Sequence, residues 1–94
     1  MIVLDASALI ELILSTAKGL VLAQRIEDPE LSIHIPHLAD LEVAQVLRRR
    51  VHERELQEWE AEEALDDLCA LDLQRHEHWP LLPRIWRLRA NLTA

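Results

Sequence analysis

Met1-Ile-Val-Leu-Asp5-Ala-Ser7-Ala-Leu-Ile10-Glu11 is a short apolar run that hands an aspartate directly to the start of a helix. Ile2 to Asp5 is too short and too continuously apolar to alternate, which is the pattern of a strand buried on both faces of a parallel sheet. The carboxyl end of such a strand is where open α/β sheets build their ligand crevice. Ser7 is placed to cap the helix that follows, and Glu11 lies early enough to favour its dipole. Asp5 thus has two readings, a ligand for a hard cation or simply a helix cap.

Working outward, the pattern predicts helix through Leu14 and a second helix from about Ala17 to Ile26, with Gly19 an unusual residue inside it. Asp28-Pro29 breaks that helix, and Leu31 to Ile35 alternates like a second strand that Pro36 stops. From Leu38 to about His52 an apolar face (Ala39, Val43, Val46, Leu47, Val51) opposes a polar one (Gln45, Arg48, Arg49, His52). A further helix spans about Leu56 to Leu71, with Ala61, Ala64, Leu65, Leu68 and Cys69 on its apolar stripe. Leu71 to Arg75 suggests a third strand. Pro80 and Pro83 mark a last helix with the stripe Leu81, Ile85, Leu88 and Leu92, and Trp86 beside it as a core residue. The order β-α-α-β-α-α-β-α argues for a parallel sheet with right-handed crossovers. The sheet looks unfinished at three strands, and the last helical pattern is cut off at Ala94.

Ninety-four residues, half of them apolar, make one small domain. The single Cys69 rules out an internal disulfide and suits a reducing compartment; a buried structural role is expected for it. No apolar run approaches a membrane span and no leader precedes Asp5, so a cytoplasmic protein without membrane contact is expected. The net charge of −7 is local, because residues 53–67 carry eight acids against one base, Arg54. That acidity neither supports nor excludes a nucleic-acid substrate elsewhere on the chain.

With one glycine there is no phosphate-cradling loop, so Walker and Rossmann readings fail. An aspartyl phosphoacceptor is disfavoured because Ser7 stands where a second aspartate would be wanted. Glu42 lies on the border between the apolar and polar arcs of its helix, either at a crevice rim or as a loosely paired surface acid. Asp40 falls inside the apolar arc and is a candidate cap for that helix. His76-Glu-His78 has zinc-ligand character but lacks the further ligands a site needs. His34 and His37, near the turn at Pro36, are expected in solvent. Arg48-Arg49-Arg50 can touch a phosphate backbone or be no more than a solvated helix end. The tryptophans are too scattered for a base-stacking platform.

Asp5, Ser7, Glu42 and the C-terminal stretch, taken in order, resemble the PIN-domain ribonucleases, specifically the VapC-type toxins. Ile-Val-Leu-Asp5-Ala-Ser7-Ala-Leu-Ile is similar to the first family motif, and His37-Leu-Ala-Asp-Leu-Glu42-Val to the second. Pro80-Leu-Leu-Pro83, Trp86-Arg-Leu-Arg89 and Asn91-Leu-Thr93 resemble the approach to the third. The resemblance implies an α/β, Rossmann-like PIN domain over residues 1–94, with three strands present and the C-terminal strands missing. It implies a metal-dependent endoribonuclease toxin of a type II toxin–antitoxin system. Asp5 and Glu42 would be catalytic metal ligands for Mg²⁺ or Mn²⁺, with Ser7 supporting Asp5. The implied partners are an RNA substrate, a cognate antitoxin and a second copy in a homodimer. The family pattern adds an aspartate just beyond Asn91-Leu-Thr93 and a further acid later. Since neither is in this sequence, a weak or inactive nuclease is expected of this chain alone. The rival expectation is an inactive PIN remnant that keeps an antitoxin-binding surface.

Overall fold

A computed structural model of the chain describes residues 1–77 together with Pro83, Trp86 and Arg87. Its elements are β1 (Ile2–Val3), α1 (Ala6–Ile13), α2 (Ala17–Arg25), β2 (Ile33–Pro36), α3 (Ala39–His52), α4 (Glu58–Ala70) and β3 (Gln74–His76). The three strands form a parallel sheet in the order β1-β2-β3, with Ile2 opposite Ile33 and Ile35 opposite Arg75. This is the α/β arrangement the sequence predicts. Pro36 closes β2 from inside rather than stopping it from outside. The last helix, His78, Trp79 and the Asn91-Leu-Thr93 block lie outside the described residues.

The strand register explains the layers. Ile2, Leu4, Ile33 and Ile35 share one face, and α1, α3 and α4 bury their apolar stripes in the cluster built on it. α3 contributes Ala39, Val43 and Leu47, spaced one turn apart, and α4 contributes Ala61, Ala64 and Leu68. With no Phe or Tyr in the chain, Leu4, Leu9, Ile35, Leu47, Val3 and Val43 are the largest side chains wholly removed from water.

Several expectations from the sequence do not hold. Cys69 is exposed, because the buried set of α4 ends at Leu68 and the next residue turns about 100° away from it. Trp86 is 67% exposed and is not core; a large indole beside an apolar stripe is seldom fully covered. Glu11 lies beyond the first turn of the eight-residue α1, so it does not serve the dipole at the helix start. It instead bonds the hydroxyl of Thr16.

Gly19 has a specific purpose. α1 and α2 meet at 98° across Ser15, whose φ is 54°. Thr16 caps α2 by accepting from the Gly19 amide at 3.1 Å, and its amide and hydroxyl donate to the Glu11 carbonyl of α1 at 3.2 and 3.3 Å, which holds the first turn of α2 against α1. A Cβ on Gly19 would lie 1.8 Å from the Glu11 carbonyl oxygen. Only glycine permits this crossing. Among the described residues no single helix is long and apolar enough to cross a membrane.

Candidate active site

Asp5 leaves the end of β1 and is itself the cap of α1. Its Oδ1 accepts from the Ala8 amide at 2.9 Å, with extended backbone at φ −90°, ψ 177°. The helix therefore starts one residue after the strand's aspartate, and Ser7 falls inside its first turn, exposed, instead of capping it. Both readings of Asp5 survive, since one oxygen caps while the carboxylate sits at the carboxyl edge of the sheet.

The electrostatics of Asp5 distinguish it from the other described acids. Half-burial raises its pKa above the usual aspartate value, opposed by the backbone amides of Ala8, Ser7 and Asp5 itself. Among the described residues no cationic side chain bonds it. The raised value means the folded chain holds this proton more tightly than the unfolded chain does. Its contribution to stability is therefore greatest below the unfolded aspartate pKa and falls as pH climbs from there to the native value. Above that, the ionised carboxylate is a standing cost that a bound cation would relieve.

Glu42 lies in the first turn of α3, which begins three residues after the last residue of β2. Because β1 and β2 are adjacent and parallel, their carboxyl ends place the start of α1 and the start of α3 at the same edge. Asp5 and Glu42 are thus brought to one end of the sheet, Asp5 half-buried and Glu42 exposed. Leu38 and Leu41, also exposed, flank Glu42. No cluster of three or more acid, histidine or cysteine side chains with metal-binding arrangement occurs among the described residues.

Asp40 is not the cap predicted for α3. That helix has Leu38 at its cap position, without a capping side chain. Asp40 instead takes both arms of Arg75 from β3, Oδ2 from Nε at 2.5 Å and Oδ1 from Nη2 at 3.2 Å. The amide of His37 also donates to the His76 carbonyl. The start of α3, and with it Glu42, is therefore anchored to β3 from outside the helix. Nothing local in the sequence reveals this pairing, since 35 residues separate its members. The clasp is partly exposed and so modest in energy, roughly 1 kcal/mol or less. Arg75→Ala is expected to lower the melting temperature by only a few degrees, and Asp40→Asn with Arg75→Ala no further than either alone. Thermal melts of the two single variants and the double variant check this as a double-mutant cycle.

The histidines depart from expectation as well. His37 is exposed in the turn, but His34 sits within β2 and is only partly exposed. Its Nδ1 lies 2.7 Å from Nε2 of His76 and its Nε2 lies 2.8 Å from the Ser32 hydroxyl. The zinc reading of His76 with His78 is thereby reduced, because the facing nitrogen of His76 is already engaged by His34.

The sequence matches the PIN domain family over residues 2–93. The chain belongs to the PIN-domain family. It is 38% identical over 96 residues to Ribonuclease VapC9 of Mycobacterium tuberculosis, spanning all of this chain and 70% of that protein. Ribonuclease VapC1 of the same species is 35% identical over 92 residues, 97% of this chain and 68% of that protein. VapC ribonuclease Mb0985 of Mycobacterium bovis is 38% identical over 96 residues, with coverage of 100% and 70%. In this PIN domain Asp5 follows β1 by two residues and Glu42 lies in the first turn of α3.

Proposed function

We propose that this PIN domain is a metal-dependent endoribonuclease of the VapC type, the toxin of a type II toxin–antitoxin pair. In this reading it acts on RNA in the cytoplasm as a homodimer and is neutralised by a cognate antitoxin. The observation that carries the reading is Asp5, a half-buried carboxylate without a cationic partner among the described residues, at the sheet edge that also carries Glu42. Relatives named as ribonucleases over the whole length of this chain give it its reaction class.

The donor set fits a hard divalent cation. Magnesium is commonly held by one or two carboxylates with waters completing its shell, and a desolvated, unpaired carboxylate is the site that gains most from a cation. Asp5 and Glu42 would hold Mg²⁺ or Mn²⁺. A cation bound there supplies Lewis acidity, activating water and screening the charge that develops on the scissile phosphate. Asp5 contributes a fixed direction, because its bond to the Ala8 amide orients the carboxylate. Ser7 supports it through its position in the first turn of α1. Glu42, exposed on the rim, would bind the cation or a water that the cation holds.

The test is cleavage of single-stranded RNA with Mg²⁺ or Mn²⁺ supplied and then chelated. Glu42→Gln is expected to reduce cleavage about 100-fold or more, since several kcal/mol of transition-state stabilisation is at stake. Cleavage indifferent both to chelation and to this substitution would overturn the reading.

Exposed Leu38 and Leu41 at the start of α3 and Leu20 and Val21 on α2 favour one second reading. There the chain is an inactive PIN fold whose apolar surface holds an antitoxin segment without nuclease activity. Calorimetric binding of the antitoxin combined with intact RNA at all metal concentrations would select it.

A further inference from the structure

From Glu42 the exposed stripe of α3 continues through Gln45 to Arg48, Arg49 and His52. Among the described residues the last four line an open surface depression of about 320 Å³. Neither Arg48 nor Arg49 has an acidic partner among the described residues, although the chain as a whole is strongly acidic. The helix dipole accounts for arginine near the end of α3, but it does not account for an open depression lined by two guanidinium groups that meet no acid among the described residues. Guanidinium groups bind phosphate oxygens through several directed N–H bonds, and Gln45 adds a neutral donor beside them.

We propose that this depression is a backbone-phosphate subsite for single-stranded RNA, set along α3 from the carboxylate pair. The proposal rests on the ribonuclease reading for its choice of anion. Arg49 lies two turns beyond Glu42 on the same stripe, on the order of 10 Å along the axis, a gap that a few nucleotides of a single strand bridge. The arrangement separates duties within one helix. Its first turn presents a carboxylate to the cleavage edge, and its last turns present cations that grip phosphate away from that edge.

The experiment measures binding of a fluorescent single-stranded RNA oligonucleotide to the intact protein carrying Asp5→Asn, across a salt series. Arg48→Gln with Arg49→Gln, added to it, is expected to weaken binding about tenfold or more and to flatten the salt slope by about 0.7 for each phosphate no longer neutralised. Lys at both positions is expected to restore most of the slope, because charge is kept and only the forked geometry is removed. Lys18→Gln, on α2, is expected to change neither quantity. An unaltered affinity and slope in the double glutamine variant would overturn the proposal. Equal losses from Lys18→Gln, or no RNA binding by the parent protein, would overturn it too. In protein with Asp5 intact, the double glutamine substitution is expected to raise KM and leave kcat unchanged. Arginine-dependent binding with no cleavage would reject the ribonuclease reading while sustaining the subsite.

Discussion

Asp5→Asn is expected to abolish RNA cleavage, by about 100-fold or more, while the protein melts at the same temperature or slightly higher at neutral pH. The two halves of this result come from different properties of one side chain. Asparagine caps a helix about as well as aspartate, so the bond to the Ala8 amide can be kept. It also carries no charge, so the cost of holding an ionised carboxylate half out of water disappears. Asp5→Ala removes the charge and the cap together, and is expected to lose about 1 kcal/mol beside the same loss of cleavage. The stability difference between Asp5→Asn and the parent should shrink as pH falls through the raised native pKa, where the parent carboxyl becomes neutral. Melting curves at neutral and acid pH, paired with cleavage assays, separate these contributions. A large fall in melting temperature for Asp5→Asn would show a purely structural aspartate.

The largest effect on stability is expected at Gly19→Ala. In most helices this exchange is favourable by about 1 kcal/mol, but here the added carbon would meet backbone atoms of Glu11 at 1.8 and 2.5 Å. Backbone cannot rotate aside, so α2 must lift from α1 and loosen the Thr16 bonds that hold the corner. A cost of about 3 kcal/mol is expected, a fall in melting temperature of roughly 10–20 °C for a domain of this size. Gln24→Ala, on the exposed side of the same helix, is expected to leave the midpoint nearly unchanged. An undiminished midpoint for Gly19→Ala would mean that the two helices do not cross as described.

These two positions also show what is legible in the sequence. A strand, an aspartate and a helix in immediate succession declare both the α/β class and the edge at which Asp5 must lie, because local pattern sets them. The helix faces follow in the same way from the spacing of Ala39, Val43 and Leu47 and of Ala61, Ala64 and Leu68. Gly19 is visible as an anomaly, yet its cause is a crossing with a residue of the preceding helix that no periodicity encodes. The fate of Asp40 is hidden for the same reason. A wheel places it among apolar neighbours, and only the sheet order brings Arg75 to it. His34 is misplaced from sequence because Pro36 suggests a turn, whereas β2 runs through that proline and pairs His34 with β3. Ser7 is misjudged as the cap by a shift of two residues, since Asp5 begins the helix earlier than a separate cap would.

The clasp of Asp40 by Arg75 has a consequence for the acid set. It leaves Glu42 as the acid of the α3 first turn that is not held in an ion pair, since Asp40 is neutralised by a bidentate guanidinium. This supports the proposal that Glu42, rather than Asp40, joins Asp5 in holding the cation.

That assignment is tested most directly by Mn²⁺ binding, followed by electron paramagnetic resonance on the parent protein, Asp5→Asn and Glu42→Gln. The account predicts a bound ion in the parent, its loss in Asp5→Asn and its weakening in Glu42→Gln, with Mg²⁺ competing for the same site. Mn²⁺ held equally by the parent and Asp5→Asn would contradict it.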